Sequence, residues 1–80
     1  MLLILDVRDL SVDRRLNCVL RRFEALCTGD ALRVVTDRDP QQWRDALLRD
    51  GRWHAEWLPE RQGPDVWVIR VKKRSRSDDD

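Results

Sequence analysis

Few side chains in this chain could carry chemistry. They are the thiols of Cys18 and Cys27, the lone imidazole of His54, and the guanidiniums of Arg8, Arg14, Arg15 and Arg38. The arginines lie around two acidic stretches, Asp6-Val7-Arg8-Asp9 and Asp37-Arg38-Asp39-Pro40. A thiol becomes a nucleophile when a helix N-terminus or a neighbouring cation holds it as thiolate. Guanidiniums that converge with unpaired backbone N–H groups hold an anion. A metal needs several His, Cys or carboxylate ligands together. Here Arg38, which cannot ligate, stands between Asp37 and Asp39, and His54 is far along the chain, so neither a metal nor a cofactor is expected.

The elements that must position these groups follow from apolar spacing. Leu2 to Val7 is a short run that is apolar on both faces, as in a strand with a parallel neighbour. Leu16, Val19, Leu20, Phe23, Leu26 and Cys27 share one helical face, with Ser11 or Asp13 able to cap its start and Gly29 suited to its end. On that helix Cys27 points into the core and Cys18 away from it, and their Cα atoms are about 13 Å apart, too far for a disulfide. Ala31 to Thr36 is a second strand, rich in β-branched residues. Asp39 and Pro40 cap a second helix, Pro40 to Asp50, with Trp43, Ala46 and Leu47 inward and Gly51 at its end. Trp53, Ala55 and Trp57 alternate with Arg52, His54 and Glu56 in a third strand, which leaves His54 on the surface. A turn over Pro59 to Pro64 leads to a last strand, Val66 to Lys72. Trp43, Trp53, Trp57 and Trp67 read as core bulk rather than as a stacking platform.

The order is βαβαββ. Right-handed crossovers put both helices on one face of a mixed four-stranded sheet, so the fold class is a two-layer α/β (α+β) sandwich with its other face uncovered. Residues 1–72 form one domain, and residues 73–80, KRSRSDDD, read as a disordered charged tail. Sixteen Lys and Arg face fifteen Asp and Glu, a formal net charge of +1, so neither nucleic acid nor a membrane surface is an expected partner. No apolar run approaches a membrane span, and MLLILDV is too short for a secretory leader, so a cytoplasmic location is expected.

Leu5-Asp6-Val7-Arg8-Asp9-Leu10, then Gly29-Asp30-Ala31-Leu32, then the closing hairpin resemble the TusA-like (SirA-like) family of sulfur carriers. That family has the fold of the C-terminal domain of translation initiation factor 3. More narrowly, the chain looks like an uncharacterised bacterial branch with a Leu-Asp-x-Arg opening and an Asp-His-Asp-Pro-like turn, here Asp37-Arg38-Asp39-Pro40. The resemblance implies a persulfide cysteine in a Cys-Pro-x-Pro motif at the start of the first helix. Position by position that cysteine falls on Val12, the prolines on Asp13 and Arg15, and the family's preceding glycine on Asp9.

The expected function is therefore a non-catalytic module for protein interaction or regulation, with another protein as partner. Two surfaces suit it. The open sheet face offers Val66 and Val68 beside Arg70. The loop edge offers Arg8, Arg14, Arg15 and Arg38 as an anion site. In the competing structural reading Arg8 pairs with Asp37 or Asp39 to pin the two loops, and Arg14 and Arg15 are solvated. The alternative function is a sulfur relay that uses Cys18, with Arg14, Arg21 and Arg22 around it. The oligomeric state is not legible in the residues.

Overall fold

The computed structural model describes residues 1–49 and 54–74. Its elements are β1 (Leu2–Asp6), α1 (Val12–Glu24), β2 (Ala31–Thr36), α2 (Gln41–Leu48), β3 (His54–Gln62) and β4 (Trp67–Arg74). The strands form one sheet in the order β1-β2-β4-β3. β1 is parallel to β2, and β4 is antiparallel to both of its neighbours, so the sheet is mixed.

Alternation along the strands sorts the two faces. Leu32, Val34, Ile69 and Val71 meet Val19 and Phe23 of α1 and Trp43 and Leu47 of α2 in one buried cluster. Both helices feed the same cluster and the same strand face, so both lie on that side. The opposite face is crossed by register rows: Leu2-Ala31-Lys72-Glu56, Ile4-Arg33-Arg70-Leu58 and Asp6-Val35-Val68.

Several boundaries differ from the residue pattern. α1 stops at Glu24, where Ala25 N–H donates to Arg21 O and Leu26 N–H to Phe23 O. Leu26 is still buried, but Cys27 lies beyond the helix and is exposed, so it is not a core residue. Both cysteines are free, and Cys18 is half-buried rather than fully exposed. Ser11 occupies the N-cap position of α1 with extended backbone but makes no side-chain cap bond. The N-cap position of α2 is held by Pro40, not Asp39, without a side-chain cap bond; Asp39 lies one residue earlier, its Oδ1 accepting from Gln41 N–H at 3.0 Å. α2 ends at Leu48, short of Asp50. Asp50 and Gly51 lie outside the described residues, as does Trp53.

The third strand is longer than expected. β3 runs through Pro59, with a register shift between Pro59 and Arg61, and the turn begins only at Gly63. Proline is compatible with a strand at an edge or a bulge, and β3 supplies both. β4 likewise continues through Lys73 and Arg74, so the charged tail expected from residue 73 does not begin there. The rest of that tail, 75–80, lies outside the described residues. Lys73 is buried, and its Nζ donates to Phe23 O (3.2 Å), Glu24 O (3.1 Å) and Leu26 O (2.8 Å). The last carbonyls of a helix have no partner within it, so one ammonium with three donors caps α1 from across the sheet. Among the described residues no helix is long and apolar enough to cross a membrane.

Candidate functional site

The loops that follow β1 and β2 leave the sheet at the same end, but their arginines do not converge. Asp6 is the last residue of β1, and Arg8 folds back onto it. Arg8 Nη2 lies 2.7 Å from Asp6 Oδ2, and Nε donates to Oδ1 at 3.0 Å. This clasp holds the Asp6 carboxyl below the usual carboxylate range. Arg8 therefore pairs with neither Asp37 nor Asp39.

Arg15 makes the loop-to-loop contact instead. It is only 5% exposed, although the residue pattern put it in solvent. Its Nη1 lies 2.6 Å from Asp37 Oδ1, Nε donates to Leu10 O at 3.0 Å, and Nη2 donates to Arg8 O at 3.1 Å. Thr36 Oγ1, also buried, lies 3.4 Å from Nη1. The guanidinium beside Asp37 holds that carboxyl below its ordinary value. Arg15, Val19 and Phe23 are four residues apart in turn, so Arg15 continues the buried stripe toward the helix start. That spacing was the readable signal for its burial.

Arg14 turns to the flank of α1. There it lines a groove of about 600 Å³ with Leu10, Asn17, Cys18, Arg21 and Arg22. Among the described residues Arg14, Arg21 and Arg22 have no ion-pair partner. Arg38 is exposed in the second loop, its backbone N–H directed at Thr36 Oγ1. The four candidate anion ligands thus take four separate surroundings, and Arg8 and Arg15 are already engaged with carboxylates. Val12 is the first residue of α1 and half exposed, so a valine occupies the mouth of that helix. Among the described residues no three His, Cys, Asp or Glu come together as a metal would require. His54 is exposed.

The open face is more charged than an apolar strip. Arg33 Nε donates to Glu60 Oε1 at 2.7 Å, and Arg70 Nε lies 3.5 Å from Glu60 Oε2, an ion-pair contact without a directed hydrogen bond. Arg33 holds the Glu60 carboxyl below its usual range. Arg74 reaches Glu56 at 3.2 Å. Val68 lies on this face next to Val35, in the row that begins at Asp6, while Val66 is half-buried just before β4.

Apolar exposure concentrates instead on β1. Ile4 is 68% exposed, Leu2 38% and Leu3 39%. Among the described residues β1 has a neighbour only on one side. Ala31 N–H donates to Met1 O and Val7 N–H to Val35 O, so the odd-numbered residues bond inward to β2. By alternation the N–H and C=O groups of Leu2, Ile4 and Asp6 face outward along the free edge. The apolar run implies a strand with a covered face and a parallel neighbour, which β2 supplies, but does not show that β1 is an edge. The order of elements held the missing signal, because the hairpin takes the other side of β2 and leaves β1 terminal.

A small two-layer α/β domain with an open sheet face, a bare strand edge and clefts beside its helices is the class that this architecture defines. The chain belongs to the family of uncharacterised conserved proteins designated DUF2249, whose model matches residues 4–73. No curated protein and no solved structure matches it.

Proposed function

We propose that the chain is a protein-interaction module that takes an extended segment of a partner protein along the free edge of β1. One observation carries this reading: a strand with outward N–H and C=O groups whose side chains at Leu2, Leu3 and Ile4 remain exposed. Strand addition at such an edge draws affinity from main-chain hydrogen bonds and selectivity from alternate side chains. The adjoining open face contributes Val35 and Val68, with Arg70 held by Glu60 as a charged border. Val66, Val68 and Arg70 then flank the interaction rather than centre it. Recovery of partners by tagged protein, compared with recovery by Ile4→Lys, tests the proposal. Loss of the same partners with Ile4→Lys supports it, and equal recovery counts against it.

We also propose a finer kinship with the TusA-like sulfur carriers. It is supported by the βαβαββ order, by the Leu5 to Leu10 opening, and by position 12 at the start of α1. On that reading the domain has kept the fold of a carrier and lost its thiol. A second reading, a sulfur relay through Cys18, is favoured by the half-buried thiol in the groove with Arg14, Arg21 and Arg22. In that step the Cys18 thiolate would take the outer sulfur of a donor persulfide, which would leave as a thiolate. Arg21 and Arg22 also lie in the last turn of α1, where cations favour the helix dipole without any ligand, so this reading ranks second. Intact-mass measurement after incubation with a persulfide donor separates the two. A gain of one sulfur that disappears in Cys18→Ser would reverse the ranking.

A further inference from the structure

We infer that the cleft between the N-terminal end of α2 and the β3–β4 hairpin binds a small planar aromatic acid, stacked on Trp57 and Trp67 and paired to Arg44 and Arg61. This site is distinct from the β1 edge and does not depend on the reading given for it.

The cleft exists because the elements differ in length. α2 has eight residues and spans about 12 Å, whereas the nine residues of β3 span about 30 Å. The helix covers only part of the hairpin. Trp57 packs against the core but stays half-buried, and Trp67, in register with Thr36, is half-buried too. The opening left beside them measures about 590 Å³, within the roughly 300–1,000 Å³ of small-molecule sites. Pro40 and Pro59 add rigid apolar surface to its lining.

The turn fixes one of the two indoles. Gly63 has φ +74, and a Cβ there would lie 2.8 Å from Trp67 Cζ2. Only glycine lets the turn lie so close against that ring, and a ring held in place before binding offers a preformed face. A planar ring stacked on that fixed indole gains dispersion and electrostatic contact with little ordering of the protein.

Charge selects the other half of the ligand. Arg44, from α2, and Arg61, from β3, line the cleft and have no ion-pair partner among the described residues. Arg8, Arg15, Arg33, Arg70 and Arg74 each face a carboxylate. Among the described residues the cleft has one acid, Asp39, which already accepts from Gln41 N–H. The lining is therefore net cationic, and guanidinium forks match a carboxylate.

Three free probes test the inference on the full chain: 2-naphthoate, its neutral isostere 2-naphthamide, and acetate. The readout is the indole N–H signals of Trp57 and Trp67 in nitrogen-15 NMR, assigned with Trp57→Phe and Trp67→Phe. Naphthoate should shift both signals and bind about tenfold or more tighter than naphthamide, and acetate should shift neither. In Arg44→Ala/Arg61→Ala, two surface changes, that preference should collapse to about threefold or less. Equal affinity for acid and amide in the unaltered protein would overturn the inference. So would an undiminished preference in the double variant, or indole signals that no probe moves up to its solubility limit.

Discussion

The two edges of the sheet are built on opposite principles. β3, the outer strand on the hairpin side, carries Pro59, a register shift at Pro59/Arg61, and the charged residues Glu56, Glu60 and Arg61. Bulges, prolines and charges are the devices by which a sheet edge discourages another strand. β1 has none of them before Asp6, and that aspartate is neutralised by Arg8. One edge is guarded and the other is bare, although both belong to the same small sheet. The bare edge also carries the most exposed large apolar side chain within any strand, Ile4. On the proposed reading, partner binding belongs to β1, while β3 shapes the tryptophan cleft.

The largest expected effect concerns what holds β1 in place. Beyond its ladder with β2, the strand's exit is fastened by Arg15, which donates to Arg8 O and Leu10 O. Arg15→Met leaves those two carbonyls without donors and should cost about 2–4 kcal/mol in urea unfolding. Amide exchange should then rise at residues 8–10 more than in the β3–β4 hairpin. Uniform acceleration across the sheet would mean that Arg15 does not hold β1 specifically. Lys73 is the counterpart on the hairpin side, tying the end of β4 to the last carbonyls of α1. Lys73→Met should cost about 1–3 kcal/mol and loosen amides near the end of α1, leaving β1 unchanged.

The third expectation compares the edges directly. Ile4→Pro removes an outward N–H and an exposed side chain but no bond to β2, so unfolding free energy should change by no more than about 1 kcal/mol while partner binding falls about tenfold or more. Leu58→Lys, on the guarded strand, should leave partner binding unchanged. Reversed outcomes would move the interaction to the hairpin. The smallest effect is electrostatic. Asp6, Asp37 and Glu60 have carboxyls held below the usual range by hydrogen bonds to Arg8, Arg15 and Arg33 in turn. A lowered folded-state pKa contributes stability above the unfolded value and loses it as pH falls through the folded value. Unfolding midpoints should be level from neutral pH to about pH 5 and decline below about pH 4. Glu60→Gln should make that decline shallower, and a slope unaltered by the change would remove the Arg33–Glu60 pair from the explanation.

Much of the fold was legible because its signals are local. Helical and alternating periods, Asp39 at a helix start and Gly29 in a loop all act within a few residues, and the βαβαββ order follows from them. What escaped were side chains whose partners are distant in sequence. Arg15 is buried because Asp37 and two loop carbonyls surround it, and no single segment displays that. Lys73 continues the inward parity of Trp67, Ile69 and Val71, yet charge made it look like tail. Cys27 kept the helical period on paper after the helix had ended. The arginine-rich loop edge was visible as composition, but ion pairing dispersed it. The tryptophan cleft depends on a length mismatch between α2 and β3, and Pro59, a turn residue by type, hides the length of β3 in the sequence.

The most direct measurement is to select extended peptides from a random library against the full chain and map the tightest binder by amide NMR. The expected result is chemical-shift change and new exchange protection at Leu2, Ile4 and Asp6, absent with Ile4→Pro. Binders that perturb only the β3 side, or a selection that yields none, would contradict strand addition at β1.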